Sequence, residues 1–296
     1  MTSYDLCLAW NWEHDAGFVN VLDLSCQRRG LSLLQITPCN LTYISEGLGS
    51  RKLGFSTFLD RSSEDDNRFF SIVEWAQRHT VYSINSYEMA RRTWDKAAMH
   101  LCLFPIMQTP YTIILPSYHE QPLLPPVDLS PLGNSFTIKP AHGGSGAGVV
   151  VEAYSMDQIL LARQEYPSDK YLLQNRIIPA RLGKRAAWFR VIYSAGEIYP
   201  CWWDTKTHLY TPLTAAEESH YHLSPLQTII QSIAEICGLQ LFSSEIALTA
   251  EGLFVVVDYV NDPVDLRLQS KSPEGVPDDI VHFIADTLAT LAKNHR

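Results

Sequence analysis

The chain has 296 residues, 46 % of them hydrophobic, and a formal net charge of −9 from 23 Lys plus Arg against 32 Asp plus Glu. Such a length and composition fit a globular protein with two or three packed lobes, and no apolar run reaches the roughly 18 residues of a membrane span. The acidic balance, with no long Lys/Arg run, excludes the basic face of a nucleic-acid binder while leaving room for a small anionic ligand.

The N-terminus, MTSYDLCLAWNWEHD, has no basic n-region and no cleavage-like site, so a cytoplasmic protein is expected. Residues 4–10 read as a buried strand. Asp15 is placed to cap a helix over 16–29 that stops at Gly30. Residues 31–36 and 55–59 read as strands. Residues 65–79 carry apolar positions at Phe69, Ile72, Val73 and Ala76, which is helical spacing. Residues 81–84 form another short strand. This alternation predicts a small α/β lobe with a parallel sheet.

Residues 87–104 read as one helix, ended by the stretch Pro105 to Pro110, and residues 111–115 as a strand. Pro116, Pro122, Pro125, Pro126 and Pro131 mark a loop. Strands follow at 136–139 and 149–153, then a helix over 154–165 capped by Ser155. Beyond that the pattern changes to strands at 171–178, 188–193, 197–203, 241–248 and 253–260. Ala195-Gly196 and Glu251-Gly252 are short turns between them, so this part of the sheet is antiparallel. Ser224-Pro225 starts a helix that Gly238 ends. Asp278-Asp279 opens a last helix with Ile280, Phe283, Ile284, Leu288 and Leu291 on one face. The six cysteines, Cys7, Cys26, Cys39, Cys102, Cys201 and Cys237, contain no CxxC motif and read as buried free thiols.

Four segments carry chemistry. In FTIKPAHGGSGAGVVV, Phe136 to Val151, a glycine-rich turn lets backbone N–H groups approach phosphate. A Walker loop needs GK[ST] and a following helix, and a dinucleotide fingerprint also runs into a helix. Here Gly148 runs straight into valines, so the glycines join two strands as a flap, and Lys139 just before it supplies a point charge. Taken alone, the same segment is equally a plain hairpin. Asp95-Lys96 is the second segment, though a lone Lys on a helix is usually just solvated. The third is Gln174-Asn175-Arg176-Ile177-Ile178, a strand edge able to read adenine, with Arg190 downstream in WFRVIY as a phosphate or carboxylate contact or a surface ion pair. The fourth is a pair of strands bearing Glu245, Asp258 and Asn261, hard oxygen ligands of the type Mg²⁺ takes; an Asp in a run of valines is costly to bury unpaired.

In this order and spacing the segments resemble the ATP-grasp superfamily, most of all glutathione synthetase and its carboxylate–amine ligase relatives. The match covers about residues 85–267. It implies an α/β (α+β) fold: a pre-ATP-grasp lobe over 1–88, a small subdomain with the flap over 89–172, and a C-terminal subdomain with adenine hinge and metal site over 173–296. The resemblance assigns Lys96, Lys139, Gly143, Gly144, Ser145, Gly146, Gly148, Gln174, Asn175, Ile177 and Ile178 to ATP. It assigns Glu245, Asp258 and Asn261 to Mg²⁺ or Mn²⁺, with Arg190 for phosphate or substrate and Arg267 for a substrate carboxylate. The implied reaction joins a small-molecule carboxylate to an amine through an acylphosphate, releasing ADP and phosphate. Relatives are commonly dimers or tetramers, which leaves a homo-oligomer open.

One position departs from the family pattern. The usual Glu-x-Asn motif of the last strand, aligned on Asn261, has Tyr259 in the Glu position and the acid one residue earlier, at Asp258. In a regular strand Asp258 faces away from Asn261; only a bulge brings them together, and otherwise Asp262 or Asp265 would supply the carboxylate. Asp258 keeps open a kinase of the same fold acting on a small alcohol or inositol phosphate, and Tyr259 keeps open a nucleotide-binding module without catalysis. Trp10 to Asp15, after the first strand, reads equally as an acceptor site or as a helix cap with packed tryptophans. Arg181, Lys184 and Arg185 read as a solvated hairpin loop.

Overall fold

Residues 2–144 and 146–296 are described by the computed structural model. The expected strand–helix alternation comes first, as β1 (Thr2–Trp10), α1 (Ala16–Arg28), β2 (Leu33–Ile36), α2 (Leu41–Gly49), β3 (Leu53–Arg61), α3 (Phe70–Arg78) and β4 (Tyr82–Ile84). Every pairing is parallel, in the order β2-β1-β3-β4. Parallel sheets are covered on both faces, which explains why Leu6, Cys7, Leu8 and Ala9 are all buried. The chain leaves β1 toward β2 and then crosses to β3 on the other side. The ends of β1 and β3 therefore form the crevice where open α/β sheets take ligands. Asp15 does not cap α1 as expected: it makes no capping hydrogen bond, because its carboxylate is taken by Arg61.

The helix expected over 87–104 is two helices, α4 (Tyr87–Trp94) and α5 (Lys96–Leu103). Asp95 separates them with extended backbone, and its carboxylate accepts from the N–H groups of Ala97 and Ala98 at 2.9 and 3.0 Å. This N-cap satisfies two of the first-turn donors that a helix cannot pair internally. β5 (Thr112–Leu115), β6 (Phe136–Pro140), β7 (Val150–Ala153), α6 (Met156–Glu165) and β8 (Tyr171–Asn175) complete a second lobe. Its sheet is antiparallel, ordered β5-β8-β6-β7. β8 lies wholly in this sheet, so the boundary expected after residue 172 falls inside a strand. The proline-rich link is irregular, as expected. It is held by the buried Arg163 of α6, which donates to the carbonyls of Pro116, Ser117 and Gln121.

The third lobe contains β9 (Arg181–Leu182), β10 (Arg185–Ala186), β11 (Trp188–Ser194), β12 (Glu197–Asp204), β13 (Leu209–Pro212), α7 (Ala215–His220), α8 (Pro225–Cys237), β14 (Leu241–Leu248), β15 (Phe254–Asn261) and α9 (Asp278–Asn294). β9 and β10 pair only with each other; the main sheet is antiparallel, ordered β13-β12-β11-β14-β15. α8 covers one face, with Leu226, Ile230 and Ile233 in a shared core with Phe189, Val191 and Ile246. α9 packs back on α1, but Phe283, expected on its apolar face, is 56 % exposed. Cys39 and Cys102 are exposed and the other four cysteines buried, so the expectation for the thiols fails at two positions. Among the described residues, no helix is long and apolar enough to cross a membrane.

Candidate active site

β14 and β15 do not pair regularly. Ser243 faces Asn261, Glu245 faces Asp258, and Ile246 faces Val256. Each step places one extra residue on β15, so a bulge lies on either side of Asp258. These bulges re-aim the side chains. Asp258 comes to the Glu245 side of the sheet, near the Asn261 side chain, and Tyr259 turns to the opposite, α8-covered face. Arg190 on β11 faces Glu245 in turn. A row Arg190–Glu245–Asp258 therefore crosses three strands on one face.

The row is internally bonded. Arg190 Nη1 donates to Glu245 Oε1 at 3.3 Å and Arg190 Nε to Ser243 Oγ at 3.3 Å. Trp188 Nε1 donates to the other Glu245 oxygen at 3.1 Å. Asn261 Nδ2 donates to the Ser243 carbonyl at 3.3 Å. Burial pushes the Glu245 carboxyl up, against the charge of Arg190. Burial also acts to raise Asp258, but the charges of Lys139, Lys96 and Arg190 outweigh it and hold that carboxyl below its usual range. Two half-buried carboxylates and an amide oxygen are a donor set that fits Mg²⁺ or Mn²⁺. Among the described residues no group of three or more His, Cys, Asp or Glu gathers, so phosphate and water oxygens would complete the shell, as is usual for Mg²⁺.

Both lysines expected at phosphate reach this region from the second lobe. Lys139, on β6, is buried and donates Nζ to the carbonyl of Val257, the residue just before Asp258, at 3.1 Å. Burial lowers its pKa, opposed by Asp258 and Glu245. Lys96, first residue of α5, donates Nζ to the carbonyl of Gly143 in the glycine turn. Both ammonium groups rest on neutral carbonyls, and a phosphate oxygen is the stronger acceptor.

The turn itself joins β6 to β7 as expected. Gly143, Gly144, Gly146 and Gly148 are described, while Ser145 lies outside the described residues. The stem is clamped by Asp169, which accepts from the His142 N–H and faces His142 Nδ1, both at 2.8 Å. Lys170 extends the clamp to Asp95, the cap of α5.

The hinge expectation needs correction at one residue. Gln174 is paired by backbone with Thr112 on one side and Thr137 on the other, and its carboxamide is buried; no free strand edge exists there. Asn175 closes the ladder with its N–H on Tyr111 at 3.0 Å, and its Oδ1 is buried without a partner. From Arg176 to Ile178 the chain leaves the sheet, and Ala180 then joins the third lobe through Leu248 at 2.7 Å. Ile177 and Ile178 thus lie on the crossing between the sheets.

Arg267 is not in the row. It lies in the segment after β15, where Asp265 takes two of its nitrogens at 3.0 and 2.7 Å and its guanidinium sits 5.2 Å from the Trp12 ring centroid. Trp12 follows β1, so the crevice of the first sheet meets the chain beyond β15. Trp188, Ser243, His142 and Asp169 were not anticipated. The first two stand two residues from Arg190 and Glu245, the spacing that shares a strand face; the His142–Asp169 contact leaves no mark in the sequence. A cleft of about 390 Å³ between α2 and α3 holds none of these residues.

No protein-family model matches the chain, and no curated protein matches it. Solved structures match it along nearly its whole length. A RimK domain ATP-grasp protein from Sphaerobacter thermophilus is 21 % identical at a TM-score of 0.64, covering 95 % of this chain and 98 % of its own. D-cycloserine synthetase DcsG is 15 % identical at a TM-score of 0.61, over 97 % and 99 %. Macrocyclase MdnC from Microcystis aeruginosa, bound with precursor peptide MdnA, is 8 % identical at 0.64, over 98 % and 99 %. At these identities the likeness is one of fold: the chain has the ATP-grasp fold, and no branch of it is singled out.

Proposed function

We propose that the chain is an ATP-dependent ligase that joins a carboxylate to an amine through an acylphosphate, releasing ADP and phosphate. The observation that carries this reading is the Arg190–Glu245–Asp258 row, brought together by two bulges and met from the other sheet by Lys139. Carboxylates on one wall, with lysines coming from the other, suit a metal-bridged polyphosphate. The solved structure of the ligase PsnB with minimal precursor, Mg and ADP supports the same nucleotide and metal.

Each residue then has a task. The backbone of Ile177 and Ile178 meets adenine, and the backbone pairing of Gln174, with the Asn175 N–H on Tyr111, anchors that segment. Lys96 and Lys139 exchange their carbonyl partners for phosphate oxygens. Mg²⁺ held by Glu245, Asp258 and Asn261 would offset charge on the transferring phosphoryl group. Arg190 adds a fixed cation on the same side. The glycine turn closes over the phosphates and excludes water from the acylphosphate. Arg267, on its Trp12 platform, takes the substrate carboxylate by exchanging it for Asp265. PsnB and MdnC are solved with precursor peptides, so peptide carboxylates belong beside small molecules among the substrates to try.

The test is phosphate release from MgATP with pools of carboxylates and amines. A ligase releases phosphate only when both are present; a kinase leaves the phosphate on its product and needs no amine. Nucleotide binding that ignores Mg²⁺, with no ADP formed from any pool, would sink the reading.

A further inference from the structure

Tyr259 stands where a metal-binding Glu was expected, and the structure gives it different work. It is 1 % exposed, so its hydroxyl has to be paired inside the protein. Two partners meet it: His100 Nδ1 on α5 at 2.7 Å and Gln174 Nε2 on β8 at 2.8 Å. Gln174 Nε2 also reaches Thr112 Oγ1 on β5 at 3.0 Å. Burial and the charge of Lys139 both disfavour protonation of His100. The phenol accepts from the Gln174 amide nitrogen and shares a second hydrogen bond with His100 Nδ1.

We propose that Tyr259 is a positioning residue that fixes the spacing between the adenine hinge and the metal strand. The proposal rests on the nucleotide reading above. One hydroxyl joins the three elements that reading uses: α5 begins with Lys96, β8 runs into Arg176 to Ile178, and β15 carries Asp258 and Asn261. A second link between the same sheets is Lys139 on the Val257 carbonyl, but that ammonium is itself a group the nucleotide reading turns toward phosphate. The buried Tyr259 contacts face the other side of β15 and stay made. The Lys139 ammonium also lies 5.6 Å from the Tyr259 ring centroid, so the ring supports that lysine from below. A ligand that touches only the hinge does not sense this spacing, whereas MgATP, spanning hinge and metal, does.

The experiment compares affinities for MgATP and adenosine by calorimetry in the wild type, Tyr259→Phe, Gln174→Met and the double variant. The expected result is a rise of about tenfold in the MgATP dissociation constant for each single variant, the scale of one lost buried hydrogen bond. Adenosine affinity should be unchanged, and the double variant should do no more than either single one. If Tyr259→Phe fails to fold, Gln174→Met carries the same comparison from the other end of the bond. A proportionate loss for both ligands, or an unaltered MgATP constant, overturns the positioning role while leaving the nucleotide reading standing. A wild type that binds no MgATP removes both.

Discussion

Asp15 and Arg61 form a buried two-point ion pair, with Nε to Oδ2 at 2.9 Å and Nη2 to Oδ1 at 2.7 Å. The same Nη2 donates to the carbonyl of Val264 at 2.8 Å. One guanidinium thus fixes the loop after β1, the end of β3 and the chain beyond β15. Asp15→Ala leaves that cation buried and unpaired. Loss of one partner of a buried pair costs about 3–5 kcal/mol, and urea unfolding should show a loss of that order. The double variant Asp15→Leu, Arg61→Met should recover a good part of it, because apolar replacement of a whole pair is often neutral. A single variant as stable as the wild type would mean the pair is not formed.

Asp258 is placed on the Glu245 side only by the bulges of β15, which makes it the sharpest test of the proposed metal site. Asp258→Asn keeps size and removes charge. Turnover of MgATP should fall by at least 100-fold, roughly the upper range for ligand-supporting groups. Asn261→Ala should raise the Mg²⁺ concentration needed for half-maximal rate. Trp188→Phe, which loses only the donor to Glu245, should cost about tenfold. An Asp258→Asn rate equal to wild type would remove Asp258 from the site.

These two cases show what the sequence carries and what it does not. The parallel lobe, the glycine turn between β6 and β7 and the third-lobe hairpins were legible because apolar period and glycine position are local signals. Lys96 at a helix start was half legible: Asp95 is a good N-cap residue, but only its bonds to Ala97 and Ala98 show that it splits a helix. α2 was missed although Leu41, Ile44 and Leu48 keep helical spacing, because two glycines in nine residues argue against a helix. The bulges were foreseen only as one option, since a bulge is defined against a partner strand that local pattern does not reveal. Gln174 reads as part of a free strand edge for the same reason: its neighbours, Thr112 and Thr137, come from strands that local pattern does not pair with it.

The flap stem should respond to pH. His142 has its pKa raised above the ordinary 6.5 by the hydrogen bond and charge of Asp169 and by Asp95, against burial and Lys170. A raised folded-state value means the charged contact is complete below 6.5 and is lost as pH rises through the folded pKa. Hydrogen exchange of the amides around His142, corrected for intrinsic rate, should therefore show falling protection above neutral pH. His142→Gln should abolish that pH dependence. Equal protection across the range in the wild type would exclude the clamp.

The glycines of the flap separate shape from ligand approach. Gly148 has φ +69°, and a Cβ there would lie 2.5 Å from Cε2 of Tyr166. Gly148→Ala is strained by backbone and by contact, so it should lower stability as well as MgATP affinity. Gly144 is different. Its φ lies outside the left-handed region, and a Cβ there meets nothing within 4 Å. Gly144→Ala should therefore fold with unchanged thermal stability. If the turn closes on phosphate through its backbone N–H groups, the added methyl still stands between amide and ligand. MgATP affinity should then fall by about tenfold or more, the worth of a charge-assisted hydrogen bond. Full affinity in a stable Gly144→Ala protein would mean that this residue keeps its distance from the nucleotide, and that the turn acts as a plain hairpin.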